Sequence, residues 1–365
     1  MFNLTSNSST LSPSTAHTSI SPFKKTKSLL LTLMVTSALA ACSPQGSETE
    51  QNSATDTETA AETAQTQNND NAQASIQANN ARVTIDSVRG DVELPANPSP
   101  VVVYDMTLLQ DLAALGITVD GAPSNLYLDN LKAAVSSDSP DVGTVFEPNL
   151  EALSALQPQA ILIGSRMAPK FEELNKMAPT ADMTLAADQT YEMGKQRLAD
   201  LGKLFNKSEQ AAKLQQEVDD AIAKAKEASA GKGNGLVISV AGNKISAAGE
   251  GSRLGFVHRV FGIPAADTTI EDSKHGQPVS FEYLQKVDPD WLFVLDRSAA
   301  IGQEGLAAKE VLDNPLLHQT KAWKNNHIVY LSPDAYLAFG GYYQWMTDAK
   351  TVTEAMSKAP KVAAD

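Results

Sequence analysis

At 365 residues the chain exceeds one ordinary core and is long enough for about two domains. A formal net charge of −14 excludes the concentrated basic surface that a nucleic-acid backbone requires, so no nucleic-acid partner is expected. The hydrophobic share of 42% suits a globular protein, and the single cysteine, Cys42, rules out an intrachain disulfide and a Cys-based zinc site.

Lys24, Lys25 and Lys27 precede an apolar run over 28–41, the basic-then-apolar layout of a secretory signal, and the run is too short to span a bilayer. It ends in Leu39-Ala40-Ala41-Cys42, which resembles the lipobox of bacterial lipoproteins. That resemblance implies removal of residues 1–41 as a signal peptide and diacylglycerol on the Cys42 sulfur, with a second acyl chain making the anchor stable. From 43 to 80 there is no aromatic residue, no Lys or Arg, and six acidic residues. Such a segment buries too little surface to offset its ordering entropy, so 42–80 reads as a lipidated cysteine and a soft tether reaching roughly 35 Å.

Val83 and Ile85, then Gly90-Asp91, then Val92 and Leu94 predict a short hairpin. Residues 101–104 read as a buried parallel strand, and 106–115 as a helix stopped at Gly116. An internal repeat follows. Glu151 is followed seven residues on by Pro158, by the apolar strand 160–163, and by Arg166 eight residues beyond the proline. Glu282, Pro289, the strand 291–295 and Arg297 repeat that spacing. Each copy predicts a short helix, a proline that ends it, and a buried strand, hence two α/β lobes of related build. Between them, 190–228 has helical spacing and no proline, predicting a helical bridge that breaks near Asn206 and restarts with Ser208 as cap. The expected division is an N-terminal lobe over 81–188, the bridge over 189–232 and a C-terminal lobe over 233–365, the last beginning with the strand 236–240.

Ligands of open α/β sheets bind outside the carboxyl ends of the strands, where Arg166 and Arg297 stand, one per lobe. Taken alone, either arginine is as readily a helix cap or a surface ion-pair residue, and the recurrence at one offset is what favours a ligand role. Arg253 follows the predicted strand 244–248 and precedes an apolar helix over 254–261. Three guanidiniums on one cleft favour an anion with several oxygens. His275 lies in a polar loop, and Tyr336 in a loop after the strand 327–331; neither stands out by itself.

From about residue 92 onward the chain resembles the periplasmic catecholate-siderophore-binding lipoproteins, the enterochelin-type (CeuE-like) members of the iron-siderophore solute-binding family. The stretches that carry it are Val101-Val102-Val103-Tyr104-Asp105, residues 151–164, Asn243-Lys244-Ile245-Ser246-Ala247, Ser252-Arg253-Leu254-Gly255-Phe256-Val257-His258, His275-Gly276, Val294-Leu295-Asp296-Arg297 and Tyr336-Leu337-Ala338-Phe339-Gly340. The resemblance implies two Rossmann-like lobes on a long backbone helix, the helical-backbone periplasmic binding protein fold. It implies a non-enzymatic, extracytoplasmic carrier with no intrinsic cofactor, which delivers a ferric siderophore to the permease subunits of an ABC transporter. It further implies that Arg166, Arg253 and Arg297 meet the siderophore's anionic oxygens. His275 and Tyr336 would complete the iron sphere when only four donors are supplied, and Glu151 and Glu282 would dock on the permease. Hard ferric iron accepts phenolate and imidazole donors. Phe339 and Gly340-Gly341-Tyr342-Tyr343 depart from the family pattern as added bulk near the cleft.

A haem or corrinoid carrier is the nearest alternative, and gives less reason for three arginines. A bare-metal site would draw on only five histidines, of which His17 lies in the signal region. A tethered hydrolase is disfavoured because the chain has no Gly-x-Ser-x-Gly elbow, no His-Glu-x-x-His and no phosphate-binding glycine loop. A passive adhesin would have no small-molecule affinity.

Overall fold

The apolar runs become strands covered on both faces, because alternate side chains enter different cores. The computed structural model describes residues 81–273 and 275–361; the predicted signal peptide, Cys42 and the tether lie outside that range. The predicted hairpin is β1 (Arg82–Ile85) with β2 (Val92–Pro95), Ile85 standing opposite Val92. β3 (Val101–Val103), β4 (Ala160–Ile163) and β5 (Thr180–Asp182) form a parallel sheet in that order. Val101 and Val103 enter one apolar cluster with Ala160 and Leu162, while Val102 and Tyr104 enter the other with Ile161 and Ile163.

The second sheet contains β6 (Gly235–Ala241), β7 (Lys244–Ala247), β8 (Gln277–Val279), β9 (Trp291–Asp296) and β10 (Ile328–Tyr330), in the order β10-β9-β6-β7-β8. β6, β9 and β10 are parallel, whereas β7 runs against β6 and β8 against β7. Leu236, Ile238, Leu292 and Val294 enter one core, and Val237, Phe293 and Leu295 the other. β8 had no clear signal in the sequence: it is a three-residue edge strand with Pro278 at its centre.

Helix α1 (Met106–Ala114) is capped by Asp105, whose carboxylate accepts from the Thr107 and Leu108 amides. The repeat is realised as two seven-residue helices, α2 (Leu150–Leu156) and, in the second lobe, Phe281–Val287, capped by Asn149 and Ser280. They end not at their prolines but one residue earlier, at left-handed Gln157 (φ 49°) and Asp288 (φ 46°), with Pro158 and Pro289 following the turn. The bridge is two helices, α3 (Thr190–Leu204) and α4 (Ser208–Ser229). Leu198, Leu201 and Leu204 of α3 pack in the first lobe only. α4, about 33 Å long at 1.5 Å per residue, places Ala211 and Leu214 in the first lobe's core and Val218, Ile222 and Ala225 in the second's. α4 thus has its two halves in different cores, and at the start of α3 Tyr191 also packs on the second core, edge-on to Trp345 at 6.0 Å.

The expectation that Ser208 caps this helix is corrected: Ser208 is its first residue, Lys207 occupies the cap position, and no side chain bonds there. The turn is closed instead by the Lys207 amide on the Gly202 carbonyl (2.6 Å) and by Asn206 at φ 53°. The helix expected over 254–261 is also shorter, a 3-10 turn Arg253–Gly255 continued by one α-turn, Phe256–Arg259.

The helix Phe281–Val287 is α5, and the last, α6 (Tyr342–Ser357), packs in the second lobe's core while its start meets the first lobe at a buried polar seam. Arg197 of α3 donates through Nε (3.1 Å) and Nη2 (2.9 Å) to Oδ2 of Asp111 on α1, both side chains being under 5% exposed. Asp111 Oδ1 accepts from the Tyr342 amide (3.0 Å), Gln110 Oε1 from the Gln344 amide (3.2 Å), and the Gly340 carbonyl from Arg197 (3.1 Å). A Cβ on Gly341 would stand 2.4 Å from Gln110 Oε1, so the two lobes approach here at a distance only glycine permits.

Replacing one partner of the buried pair leaves the other charge uncompensated, so Arg197→Ala is expected to lower the unfolding free energy by about 3–5 kcal/mol in urea denaturation. Behind the seam, burial raises the Asp348 carboxyl from an ordinary 3.8 to about 6. A group raised in the folded chain contributes stability that is full below its unfolded pKa and lost as pH rises through the folded one. The stability of the native protein relative to Asp348→Asn is therefore expected to fall between about pH 4 and pH 6 and to level off above.

Candidate functional site

The turn after β4 carries Arg166 and the end of β9 carries Arg297, so the repeat does deliver one arginine from each lobe to the same side of the molecule. The offsets from the strands differ: Arg297 directly follows β9 as the first residue of the helical turn Arg297–Ala300, whereas Arg166 lies three residues past β4. Asp296 caps that turn by accepting from the Ala299 amide (2.9 Å). Arg253 opens its 3-10 turn after the antiparallel β7, so it reaches the site from a different geometry than the other two.

Tyr336 is the centre of the cluster. It lies not in a loop but in a short helix, Asp334–Leu337. Its ring has the Arg253 guanidinium at 5.3 Å from the centroid and that of Arg297 also at 5.3 Å, and its hydroxyl accepts from Arg297 Nε at 3.0 Å. Arg253 further lies 4.9 Å from the Phe339 ring. The faces of aromatic rings are the one partner that a guanidinium can pack on without losing its donors. Arg166 donates from Nη1 to the Leu337 carbonyl (3.0 Å) and from Nη2 to the Tyr336 carbonyl (3.1 Å), so the first lobe's arginine grips the second lobe's tyrosine-bearing turn.

Arg253, Arg297, Tyr336 and His275 line one open depression, together with Leu295 and several serines. His275 is on its exposed rim, beside Gly276 at φ 79°, immediately before β8. Arg166 is not among the lining residues; it holds the Tyr336 turn by its carbonyls. Burial, then the Arg166 charge, and further the Arg297 charge lower the Arg253 pKa, with the Tyr336 hydroxyl acting in the opposite sense. The site thus concentrates positive charge in a chain of net charge −14.

Of the expected bulk after Tyr336, only Phe339 faces the arginines. Tyr342 turns away, its hydroxyl donating to Glu217 of α4 (2.5 Å), and Gly340 and Gly341 serve the lobe contact. Glu151 and Glu282 are exposed at the second position of α2 and α5, apart from the cavity; the Ser280 hydroxyl holds the Glu282 carboxyl below its ordinary value. Cys42 is outside the described residues. The sequence reading missed Gln110, Asn130 and Asp334, although a Gln-Asp pair inside the apolar helix 106–115 was a usable sign of buried polar work.

Two α/β lobes, a bridge of two helices and a cavity lined by Arg253 and Arg297 define a solute-binding protein of the helical-backbone kind. Residues 101–335 match the family model of periplasmic binding proteins, and the chain belongs to that family. It is 35% identical over 274 residues to the petrobactin-binding protein YclQ of Bacillus subtilis, covering 74% of this chain and 86% of that one. It is 32% identical over 269 residues to the ferric-anguibactin-binding protein FatB of Vibrio anguillarum, covering 72% and 83%. The crystal structure of YclQ superimposes with a TM-score of 0.72 at 34% identity, over 76% of this chain and all of that one. The periplasmic catecholate-siderophore-binding protein VctP of Vibrio cholerae gives 0.70 at 28% identity, over 76% of this chain and all of that one.

Among the described residues no carboxylate pairs with Arg166, Arg253 or Arg297, and like charges held together in this way cost stability. Arg253→Met is expected to raise the unfolding free energy of the ligand-free protein by about 1 kcal/mol, measured by urea denaturation, because function-bearing strain is commonly relieved by such changes.

Proposed function

We propose that this protein captures an anionic ferric siderophore between its lobes and hands it to the permease of an ABC importer. The observation that carries this reading is the packing of Arg253 and Arg297 around Tyr336 at an open cavity, with Arg166 against the same turn. Guanidinium donors in a fork match carboxylate and catecholate oxygens. The phenol oxygen of Tyr336, which accepts from Arg297 Nε, stands at that cavity beside two guanidiniums. Tyr336 and His275 supply the two donors that a tetradentate siderophore leaves unfilled on octahedral ferric iron, a hard ion suited to phenolate and tolerant of imidazole. The iron travels as cargo, with no resident cofactor. The relatives named for petrobactin, anguibactin and catecholate siderophores support the ligand class.

Glu151 and Glu282, matched in position on matched helices, serve as the two acidic contacts that register the cleft over the permease. The lipobox at Cys42 provides the membrane anchor, and the acidic tether lets the folded part reach from it. The family membership places the protein outside the cytoplasm.

The reading is tested by tryptophan-fluorescence titration of the protein beginning after Cys42 with ferric complexes of tetradentate and hexadentate catecholates. Tyr336→Phe and His275→Ala are expected to weaken binding of the tetradentate complex about tenfold and to diminish its charge-transfer band, leaving the hexadentate complex little changed. Arg297→Ala is expected to weaken both complexes. Absence of binding to either complex by the native protein contradicts the proposal.

A further inference from the structure

The turn that carries Tyr336 belongs by sequence to the second lobe, yet its contacts to side chains of the first lobe are what hold it. Asp334 Oδ1 accepts from Asn130 Nδ2 (2.8 Å) and from Gln110 Nε2, both first-lobe amides. Arg166, also of the first lobe, takes the carbonyls of Tyr336 and Leu337. Gln110 is fixed in turn, since its Oε1 accepts from the Gln344 amide at the start of α6. Asp334 is only 8% exposed, and among the described residues its carboxylate is met by these amides and by no salt-bridging cation. Burying a carboxylate against two neutral amides is costly unless the arrangement does something a neutral side chain would not.

A four-residue helical turn has little cooperativity and does not define a side chain's position by itself. A metal ligand, by contrast, must be held to about 0.2 Å of its bonding distance. The cavity floor and the partners of the Tyr336 ring, Arg253 and Arg297, stand on the second lobe. Tyr336 is therefore held between lobes: it packs against both cores, with its backbone tied to the first and its ring against Arg253 and Arg297 of the second.

We propose that Asp334, gripped by Gln110 and Asn130, is a positioning residue for Tyr336, so that ligation of the cargo iron by the tyrosine depends on the register of the two lobes. This rests on the reading of Tyr336 as an iron ligand. The amides set where the turn stands, Arg166 sets its tilt, and the Tyr336 oxygen reaches the iron only when both lobes hold their relative places. Siderophores that fill all six positions make no such demand, so the clamp tunes the protein toward ligands with an incomplete donor set.

The test compares Asp334→Asn and Asn130→Ala with the native protein, using the ferric tetradentate and hexadentate catecholates and reading both affinity and the tyrosinate-to-iron charge-transfer band. Each variant is expected to lose about tenfold in affinity for the tetradentate complex with a weakened band, while the hexadentate affinity changes less than twofold. Placed on Tyr336→Phe, Asp334→Asn is expected to add nothing further. Equal losses for both complexes accompanied by a lower unfolding midpoint overturn the proposal, as do losses that add to that of Tyr336→Phe. If the native protein binds the tetradentate complex and Tyr336→Phe leaves its band unchanged, the ligation reading itself fails and the clamp with it.

Discussion

The buried Asp111–Arg197 pair is the constraint on which the rest of the structure depends. Neither side chain meets solvent, and each carboxylate oxygen is committed: one to the guanidinium, the other to the first amide of the last helix. A charge in such a place is tolerated only when fully paired, so α1, α3 and the start of α6 have one mutual arrangement rather than a range. The Gly340 carbonyl on Arg197 and the glycine-only contact at Gly341 draw the second lobe's chain into the same arrangement. Together with α4, whose two halves sit in different cores, the seam gives the lobes two separate connections.

This rigidity bears on what the cleft does. Three guanidiniums near one tyrosine repel each other in the ligand-free protein, and a softer frame would let them spread apart. Here the aromatic faces of Tyr336 and Phe339 hold Arg253, the tyrosine hydroxyl holds Arg297, and two carbonyls hold Arg166. Side chains fixed in this way have little left to order, which lowers the cost of any binding at this face. A cluster of like positive charge disfavours a bare cation at this face and favours an anion.

Much of this was legible from residue order. The runs Val101-Val102-Val103-Tyr104 and Ala160-Ile161-Leu162-Ile163 are apolar on both parities, which only a sheet covered on both faces accommodates, and they became β3 and β4. The repeat around Glu151 and Glu282 became two helices matched even in their left-handed ends. What misled were signals whose outcome depends on distant partners. Ser208 is a good cap by type, but the close packing of Gly202 on Ala211 and Ser208 sets the helix start one residue away from where a serine would serve. Tyr342 resembles bulk near the cleft until Glu217, far off in sequence, is seen to take its hydroxyl.

The sequence by itself determined the α/β class, the two-lobed plan, the secretory and lipobox pattern and the identity of the charged residues, because periodicity, spacing and residue type are local properties. Only the tertiary structure decided which bridge residues enter which core and that Tyr336 stands on a helical turn rather than in a loop. It also decided that Arg166 reaches into the opposite lobe and that Gln110, Asn130 and Asp334 meet. Those contacts join residues from 170 to more than 200 positions apart, and the energy that selects them, the cost of leaving a buried polar group without its partner, exists only once the chain has folded.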